Sequence, residues 1–529
     1  MPGPERRPES GRGRRPESGR GRHPGRGAAG QVPGPRRILL VGGGGREHAL
    51  AWRLAGEPGV EAILALPGSD GIATVPGAVC LRGDPLDPAV VLASARSAAV
   101  DLVVVGPEAP LAAGVADVVR AAGIPVFGPG AAAARIESSK EFCHEVAEAA
   151  GVRMARAGAF AALEPALELA RELAAAGEGV VVKADGLAAG KGVTVCDDLE
   201  TAVDALRSLF AGVRAAPAPG GTGPAGAGLA GPGSAAPLVV IEERLRGPEA
   251  SLIALADGTV ALALPAARDH KRIGDGDRGP NTGGMGAYSP VPDLPDALAA
   301  ELVATVHRPV LAELARRGCP FRGALYAGLM LTADGPVLLE FNARFGDPET
   351  QAILPRLAVP LGPLLLAAAE GRLTDAAARA GVDGPLLPVE PGAAIAVVLA
   401  AAGYPGAPRR GDRIDGLAEA AARGGLVFHA GTARGPGGGW LTSGGRVLAV
   451  VGRGPDLAAA RAAAEHAADA VDWEGMQRRR DIAAVLPVVA APAGGGGAAA
   501  PARGGSAAAG FAPSPEPALA APAPGRATP

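Results

Sequence analysis

The chain has 529 residues, 48% of them hydrophobic, and a formal net charge of −3, so it can bury several cores and is long enough for about three domains. Its near-neutral charge predicts no nucleic-acid or membrane partner, and its four scattered cysteines argue against disulfides or a zinc site. No apolar run is long enough for a membrane span or a signal core, so we expect a cytoplasmic protein, working as a monomer.

Three segments rich in Gly, Pro, Ala or Arg are predicted to be disordered. Residues 1–36 contain the repeat RRPESGRG twice, and an RNA-binding arm is the alternative for this extension. Residues 488–529 form an Ala/Pro/Gly tail, and a similar insertion occupies residues 212–237. The ordered domains are then expected at 37–137, 138–360 and 361–487, with a small lid at about 157–242.

The first ordered block alternates strands and helices, which predicts a parallel sheet. The stretch RRILLVGGGGREHAL is an apolar strand, a glycine turn and a helix start. Glu47 stands where a dinucleotide motif needs Gly or Ala, so no dinucleotide is expected. The N–H groups of Gly44, Gly45 and Arg46 can instead hold a phosphate monoester, with a ligand-free turn as the alternative. Glu108, after another strand, is a candidate for binding sugar hydroxyls.

Lysine is scarce in this chain: of 51 basic residues only Lys140, Lys183, Lys191 and Lys271 are lysines. In a sequence biased toward arginine, a lysine indicates a position that needs a compact ammonium rather than a planar guanidinium. Two of the four flank the glycine loop of VVVKADGLAAGKGVTV, whose spacing differs from that of a P-loop. Strands on both sides predict a hairpin that folds over a triphosphate, although a merely flexible hairpin would also explain the glycines.

Two later stretches carry oxygen ligands. LVVIEERLRGPEAS is a strand that enters an acidic segment, which suits an adenosine pocket or, alternatively, an exposed acidic turn. In VLLEFNARFGDPET, alternation places Glu340 and Asn342 on one face of a strand and Leu339 and Phe341 on the other. A carboxylate and an amide oxygen two residues apart suit magnesium, and Arg344 continues that face if the strand extends so far.

These features resemble the ATP-grasp superfamily. The strings GGREHAL, GPEAPL, KADGLAAGKGV, DHKR, GPNTGGMGAYSP and EFNARFGDPETQ resemble one family within it, the phosphoribosylamine–glycine ligases, over about residues 37–485. The resemblance implies an α/β fold with a Rossmann-like N-terminal domain, ATP-grasp central domains with a small lid, and a small β-rich C-terminal domain. It also implies that glycine and 5-phosphoribosylamine are joined with ATP and Mg²⁺ or Mn²⁺, by way of glycyl phosphate, in de novo purine biosynthesis.

The resemblance implies four sets of site residues. The catalytic set is Arg344, Lys183, Asp269 and Lys271. The nucleotide-binding set is Lys140, Lys183, Gly186, Gly190, Lys191, Gly192, Glu242, Glu243, Leu245 and Glu249. The substrate-binding set is Gly44, Gly45, Arg46, Glu108, Asn281, Thr282 and Gly283. The metal ligands are Glu340 and Asn342.

Some positions depart from the family's usual residues. Arg268, before DHKR, adds a charge beside the expected substrate region, and the other departures are Ser69, Pro248, Gln477 and the insertion at 212–237. Two other functions stay open, a nucleotide-binding regulator without turnover and another ATP-grasp ligase or carboxylase. Decay to a regulator would be expected to remove Glu340, Asn342 or the lysines first, and all are present.

Overall fold

The computed structural model describes residues 34–177, 179–186, 192–215 and 238–484. The disorder expected for the two ends and for the 212–237 insertion falls almost entirely outside these ranges. Within them, no helix combines the length and the hydropathy that a bilayer crossing needs.

The N-terminal region is a five-stranded parallel sheet in the order β3-β2-β1-β4-β5, which confirms the Rossmann-like prediction. Alternate residues of its first strand face two different hydrophobic cores, so helices cover both faces of the sheet. The elements are β1 (Arg37–Gly42), α1 (Gly45–Ala55), β2 (Ala62–Pro67), β3 (Ala78–Cys80), α2 (Pro88–Ser97), β4 (Leu102–Val105), α3 (Glu108–Ala112), α4 (Val115–Ala121) and β5 (Val126–Phe127).

Local side-chain chemistry sets where several helices begin. Glu47, which excluded a dinucleotide motif, accepts the N–H of Gly44 at 2.7 Å and so caps α1. Asp87 accepts the N–H of Ala89 at 2.8 Å before α2. After α5 (Ala131–Ser138), Ser139 caps α6 (Lys140–Ala149).

A small antiparallel sheet, ordered β6-β9-β7-β8, forms the predicted lid. Its strands β7 and β8 are the two arms of the predicted glycine hairpin, which confirms that the loop is not the entry to a helix. The elements are β6 (Ala157–Phe160), α7 (Leu163–Ala175), β7 (Val180–Ala184), β8 (Val193–Cys196), α8 (Leu199–Ala215) and β9 (Val239–Glu243).

The central region is built on a four-stranded antiparallel sheet in the order β11-β10-β16-β17. A hairpin of β13 and β14 carries the segment up to Asn281. The elements are β10 (Glu249–Asp257), β11 (Ala261–Ala263), β12 (Arg268–Asp269), β13 (Arg272–Gly274), β14 (Arg278–Asn281), β15 (Gly286–Ser289), α9 (Asp296–Leu302), a π-helix (Val303–His307), α10 (Arg308–Arg316), β16 (Arg322–Thr332), β17 (Gly335–Asn342), α11 (Glu349–Ile353), α12 (Gly362–Glu370) and α13 (Leu373–Arg379).

The C-terminal sheet has the order β12-β15-β18-β23-β20, so it takes two strands from the middle of the chain. Conversely, α12 packs against β5, β10 and β16, although it lies beyond the expected start of the C-terminal domain. The elements are β18 (Ala393–Ala400), β19 (Arg413–Ile414), α14 (Leu417–Ala422), β20 (Leu426–His429), β21 (Thr432–Arg434), β22 (Trp440–Thr442), β23 (Arg446–Gly454) and α15 (Leu457–Ala468).

Two buried histidines join the N-terminal and C-terminal regions. The backbone N–H of His429 donates to Nδ1 of His48 at 2.9 Å, and the rings stack with centroids 5.6 Å apart. Burial lowers the pKa of His48 to about 3 and that of His429 to about 4, with His429 lowering the first further and Arg434 the second. Both rings are therefore neutral at neutral pH, and His48 can accept the interdomain hydrogen bond.

This pair predicts acid sensitivity. Below about pH 6.5 the unfolded chain protonates these two histidines, whereas the folded chain keeps them neutral. As the pH falls, the free energy of unfolding therefore decreases by up to ~1.4 kcal/mol per pH unit for each histidine, until the folded-state pKa is reached. Denaturant titrations between pH 6.5 and 5 give the slope of the unfolding free energy against pH, which measures how many protons are taken up on unfolding. In His429→Gln this number should be smaller than in the parent by close to one. His466→Gln, at an exposed position on α15, should keep the parent slope. Equal slopes for parent and His429→Gln would contradict the prediction.

Candidate active site

Glu242, near the end of β9, binds the side chains of Lys183 on β7 and His144 on α6. Lys183 Nζ lies 2.7 Å from one carboxylate oxygen and His144 Nε2 lies 3.0 Å from the other. Burial alone would raise the pKa of Glu242, but Lys183 and His144 lower it below the usual value. The carboxylate therefore stays ionised and fixes the Lys183 ammonium in a water-poor place.

The first turn of α6 is tied to the base of the glycine hairpin. The backbone N–H of Lys140 donates to Asp185 Oδ1 at 2.5 Å, and its ammonium donates to the carbonyl of Gly186 at 3.1 Å. Gly186 has φ +105°, which glycine adopts readily. The carbonyl of Gly192 accepts the N–H of Ala184 across the hairpin at 2.8 Å. The predicted contacts of Gly190 and Lys191 lie outside the described residues.

Three of the four lysines act on one carboxylate. Burial would raise the pKa of Glu340, yet the charges of Lys271, Lys183 and Lys140 bring it below the usual value. These lysines come from a segment after β12, from β7 and from α6, so only the folded chain assembles them. The result is a site with several cations and an ionised carboxylate, suited to a polyanionic ligand.

The strand that carries Glu340 departs from strict alternation. The register of β16 and β17 shifts between the pairs Gly328–Glu340 and Leu329–Leu338, which leaves Leu339 as a bulged residue. Leu338 is therefore buried in the core, and the bulge interrupts the strict alternation that was expected at Leu339.

Arg344 lies beyond the end of β17 but stays next to its predicted neighbour, with Nη2 3.4 Å from Asn342 Oδ1. Its Nε is 3.0 Å from Glu108 of the N-terminal region, and Nη2 is 3.1 Å from Glu137 of α5. Glu137 also accepts the N–H of Ala343 at 2.8 Å. Arg344 thus connects the end of β17 with the N-terminal region and with α5.

Lys271 forms an ion pair with Glu249. Burial disfavours the ammonium, but Glu249, Asp269 and Glu340 raise the pKa of Lys271 well above its usual value. Burial raises the pKa of Asp269, and nearby Glu349 raises it further against the opposing charge of Lys271. Lys271 therefore carries a full positive charge between several acidic groups.

The loop after β14 shapes the backbone at Lys271. The N–H and the hydroxyl of Thr282 both donate to the carbonyl of Lys271 at 2.8 Å, and the N–H of Gly284 donates to the Thr282 hydroxyl at 3.0 Å. Asn281 pairs across the hairpin with Arg272. The structure thus brings Asn281, Thr282 and Gly283 next to the lysine with which the sequence grouped them.

The turn before α1 offers backbone rather than side-chain donors. Arg46 is buried, with Nε 2.6 Å from Glu47 and Nη1 donating to the carbonyl of Phe345 at 3.1 Å. Glu47 occupies the N–H of Gly44. An anion here would meet the N–H groups of Gly45 and Arg46 at the start of the helix.

Arg268 adds no uncompensated charge to the site. It is buried, and Nη2 lies 2.8 Å from Asp293 while Nη1 donates to the Tyr288 hydroxyl at 3.0 Å. The sequence showed the added cation but not Asp293, which neutralises it from another loop.

A cavity lies between the lid and β17. Of the predicted site residues, Lys140, Lys183, Glu242, Glu340 and Asn342 line it, whereas Arg344, Lys271, Asp269 and Glu249 are not among its described lining residues. Its apolar side chains suit a flat ring, and its charged side chains suit an anion. Two predicted nucleotide-binding residues, Glu243 and Leu245, are not among its described lining residues. Burial raises the pKa of the Cys143 thiol to about 12, so this lining residue is a poor nucleophile. The lining is Ile136, Glu137, Lys140, Cys143, His144, Met154, Lys183, Glu242, Leu339, Glu340, Phe341 and Asn342.

The donors at this cavity fit a hard divalent cation. In the part of the chain that the structure describes, no three His, Cys, Asp or Glu side chains cluster as a complete metal site. The ionised Glu340 and the amide oxygen of Asn342 are two oxygen donors, which is what magnesium takes from a protein when phosphates and water complete its coordination.

Sequence reasoning missed Glu137 and His144. His144 follows Lys140 by four residues on α6, so helical spacing places both on one face and could have revealed it. Glu137 acts on Ala343 and Arg344, more than 200 positions later, and nothing in the local pattern of RIESSKEF indicates that contact.

Comparisons with known proteins give matches over most of the chain. Residues 36–137 match the phosphoribosylglycinamide synthetase N domain, residues 138–219 and 228–350 its ATP-grasp (A) domain, and residues 394–485 its C domain. The phosphoribosylamine–glycine ligase of Streptomyces coelicolor is 48% identical, over 85% of this chain and 99% of its own. That of Agrobacterium fabrum is 45% identical, over 84% and 97%.

A solved structure shares the whole architecture. The phosphoribosylamine–glycine ligase of Thermotoga maritima superposes with a TM-score of 0.66 at 33% identity, covering 84% of this chain and all of that one. The family resemblance read from the sequence is thereby confirmed. The chain belongs to the phosphoribosylamine–glycine ligase family of the ATP-grasp superfamily.

Proposed function

We propose the route by which this chain performs its family's reaction, the ATP-dependent joining of glycine to 5-phosphoribosylamine in purine biosynthesis. Glycine's carboxylate attacks the γ-phosphorus of ATP, which forms glycyl phosphate as the bond to ADP breaks. The amine of phosphoribosylamine then attacks the acyl carbon, a proton is lost, and phosphate leaves with one former carboxylate oxygen. The product is glycinamide ribonucleotide. The gathering of Lys140, Lys183 and Glu340 around one cavity, with Lys271 also acting on that carboxylate, is the observation that carries this proposal.

Such chemistry needs alignment and charge neutralisation more than a nucleophile. Lys140 and Lys183 neutralise the ATP phosphates, and Lys191 and the hairpin glycines Gly186, Gly190 and Gly192 bind the same phosphates. Both lysines are held in place, since Glu242 fixes the Lys183 ammonium and the hairpin base fixes that of Lys140. Arg344 acts on the transferred phosphoryl group.

The end of β9 holds the adenosine part of ATP. The backbone from Glu242 through Glu243 to Leu245 binds the base, because the Glu242 side chain is already bound to Lys183 and His144. Glu249 binds the ribose hydroxyls and shares its carboxylate with Lys271.

Glu340 and Asn342 would hold the divalent cation that the ATP-grasp family uses. We favour Mg²⁺, with Mn²⁺ as the substitute, because both donors are hard oxygens. The cation, when bound, supplies charge neutralisation to the ATP phosphates.

The two substrates lie on either side of this centre. Glycine and its acyl phosphate lie against Asp269, Lys271 and the loop of Asn281, Thr282 and Gly283. The sugar phosphate lies on the N–H groups of the Gly44–Arg46 turn, and Glu108 bonds the ribose from beside Arg344.

We propose a monomer as the working unit, and four free thiols support a reducing cytoplasm. Sedimentation velocity of the purified enzyme tests the first of these proposals.

An omission assay separates this function from its alternatives. Phosphate release should require glycine and phosphoribosylamine together. Release with a different carboxylate or amine would identify another ATP-grasp ligase, and no release with any substrate pair would identify a regulator.

The route itself predicts the fate of an oxygen atom. Glycine labelled with oxygen-18 in its carboxylate should transfer one labelled oxygen to inorganic phosphate, because the acyl oxygen leaves with the phosphoryl group. Mass spectrometry of the phosphate measures this transfer. Unlabelled phosphate would rule out glycyl phosphate.

Lys183→Arg should be damaging although it keeps the charge. The Lys183 side chain is 9% exposed, and its ammonium lies 2.7 Å from a carboxylate that also binds His144. A wider planar guanidinium cannot occupy the same position. Losing one well-placed electrostatic contact costs about a hundredfold, and we expect that loss in kcat at saturating ATP with little change in melting temperature. Arg316→Lys, whose side chain on α10 is 70% exposed, is the control. Turnover within about threefold of the parent would contradict this role.

A further inference from the structure

The C-terminal region, to which the sequence assigned no site residue, holds both backbone groups of Gly283. The N–H of Gly283 donates to the hydroxyl of Tyr404 at 2.9 Å. The carbonyl of Gly283 accepts from Nη1 of Arg446, the first residue of β23. One residue of the expected glycine-binding loop is therefore fixed by two side chains from another domain.

Arg446 also reaches the turn that follows β17. Its Nη1 donates to the carbonyl of Asp347 at 2.7 Å, and Nη2 forms an ion pair with the Asp347 carboxylate at 2.9 Å. These are charge-assisted contacts, which are stronger and more directional than those between neutral groups. A single guanidinium thus links Gly283 to the segment that begins with the metal ligands.

The contacts leave little room for a Cβ at either glycine. A Cβ at Gly283 would lie 3.1 Å from Arg446 Cζ, and one at Gly445 would lie 2.3 Å from the Tyr404 ring. Glycine at both positions lets the loop and the C-terminal domain approach without a gap. The loop position is therefore set by direct contact with Arg446 and Tyr404.

Movement of this loop would be transmitted to the reaction centre. Thr282, next to Gly283, donates twice to the carbonyl of Lys271. Lys271 is in turn one of the three lysines whose charge acts on Glu340. Misplacement by about 1 Å can cost on the order of a hundredfold in rate.

We infer that Tyr404 and Arg446 are positioning residues for glycine activation, an inference that rests on the proposed function of the 281–284 loop. They act on the glycine side of the centre. The lid and α6, which carry Lys183 and Lys140, have no hydrogen bond to either residue among the described contacts.

Tyr404→Phe tests the inference most sharply, because it removes one oxygen atom and keeps the ring that packs on Gly445. We expect kcat/KM for glycine to fall about tenfold in Tyr404→Phe and about a hundredfold in Arg446→Ala, with partial recovery in Arg446→Lys. The KM for ATP should stay within about twofold of the parent. Arg423→Ala, which removes a half-buried ion pair with Glu419 elsewhere in the same domain, should match the parent for every substrate.

The remaining outcomes each decide against the inference. Parent-like glycine kinetics in Tyr404→Phe and Arg446→Ala would overturn it. Equal losses of kcat/KM for glycine, ATP and phosphoribosylamine, together with a lowered melting temperature, would also overturn it, because they indicate a purely structural contact. If Arg446→Ala does not fold, Tyr404→Phe decides alone. A parent enzyme without glycine-dependent phosphate release would overturn the proposed function itself, and this inference with it.

Discussion

The site depends on carboxylates that balance the charges of three lysines, of which Lys183 is buried and Lys140 and Lys271 are half-buried. Like charges repel strongly in a medium of low polarity, and a lysine there tends to lose its proton. Burial does lower the pKa of Lys140, whereas the carboxylates around Lys271 raise its pKa. Glu242 and Glu249 each pair with a lysine, and Glu340 is shared, so the cations are balanced before any ligand arrives.

This balance explains why the charged groups of the candidate site are spread over so many elements. Each carboxylate needs its own strand or helix, since adjacent side chains on one element could not surround a common point. The lid supplies Glu242, β10 supplies Glu249, and β17 supplies Glu340. Arg344 adds the N-terminal domain through Glu108, and Arg446 adds the C-terminal domain. Residues from all the domains therefore contribute to the candidate site.

Local patterns predicted the parts of this site that depend on local chemistry. The parallel sheet, the glycine hairpin and the Glu340–Asn342 pair follow from strand periodicity and turn residues, and the scarcity of lysine indicated which cations gather. The bulge at Leu339 could not be predicted, because the partner strand β16 sets it. Glu137, Tyr404 and Arg446 act on residues far away in the sequence, where no spacing rule applies. The roles assigned to individual site residues remain predictions.

The shared C-terminal sheet has a consequence for synthesis on the ribosome. Strand β15 follows the loop that carries Asn281 and Gly283, and its partner β18 pairs Gly286 with Val397. The backbone groups of β15 that pair with β18 therefore stay unpaired while more than a hundred further residues are translated. Unpaired strand edges are prone to aggregation, and such non-local pairing is slow to form. A nascent chain that stops before β18 would lack the centre of that sheet together with Tyr404 and Arg446, which hold Gly283, so the ligase fold would be completed only near the end of its own translation.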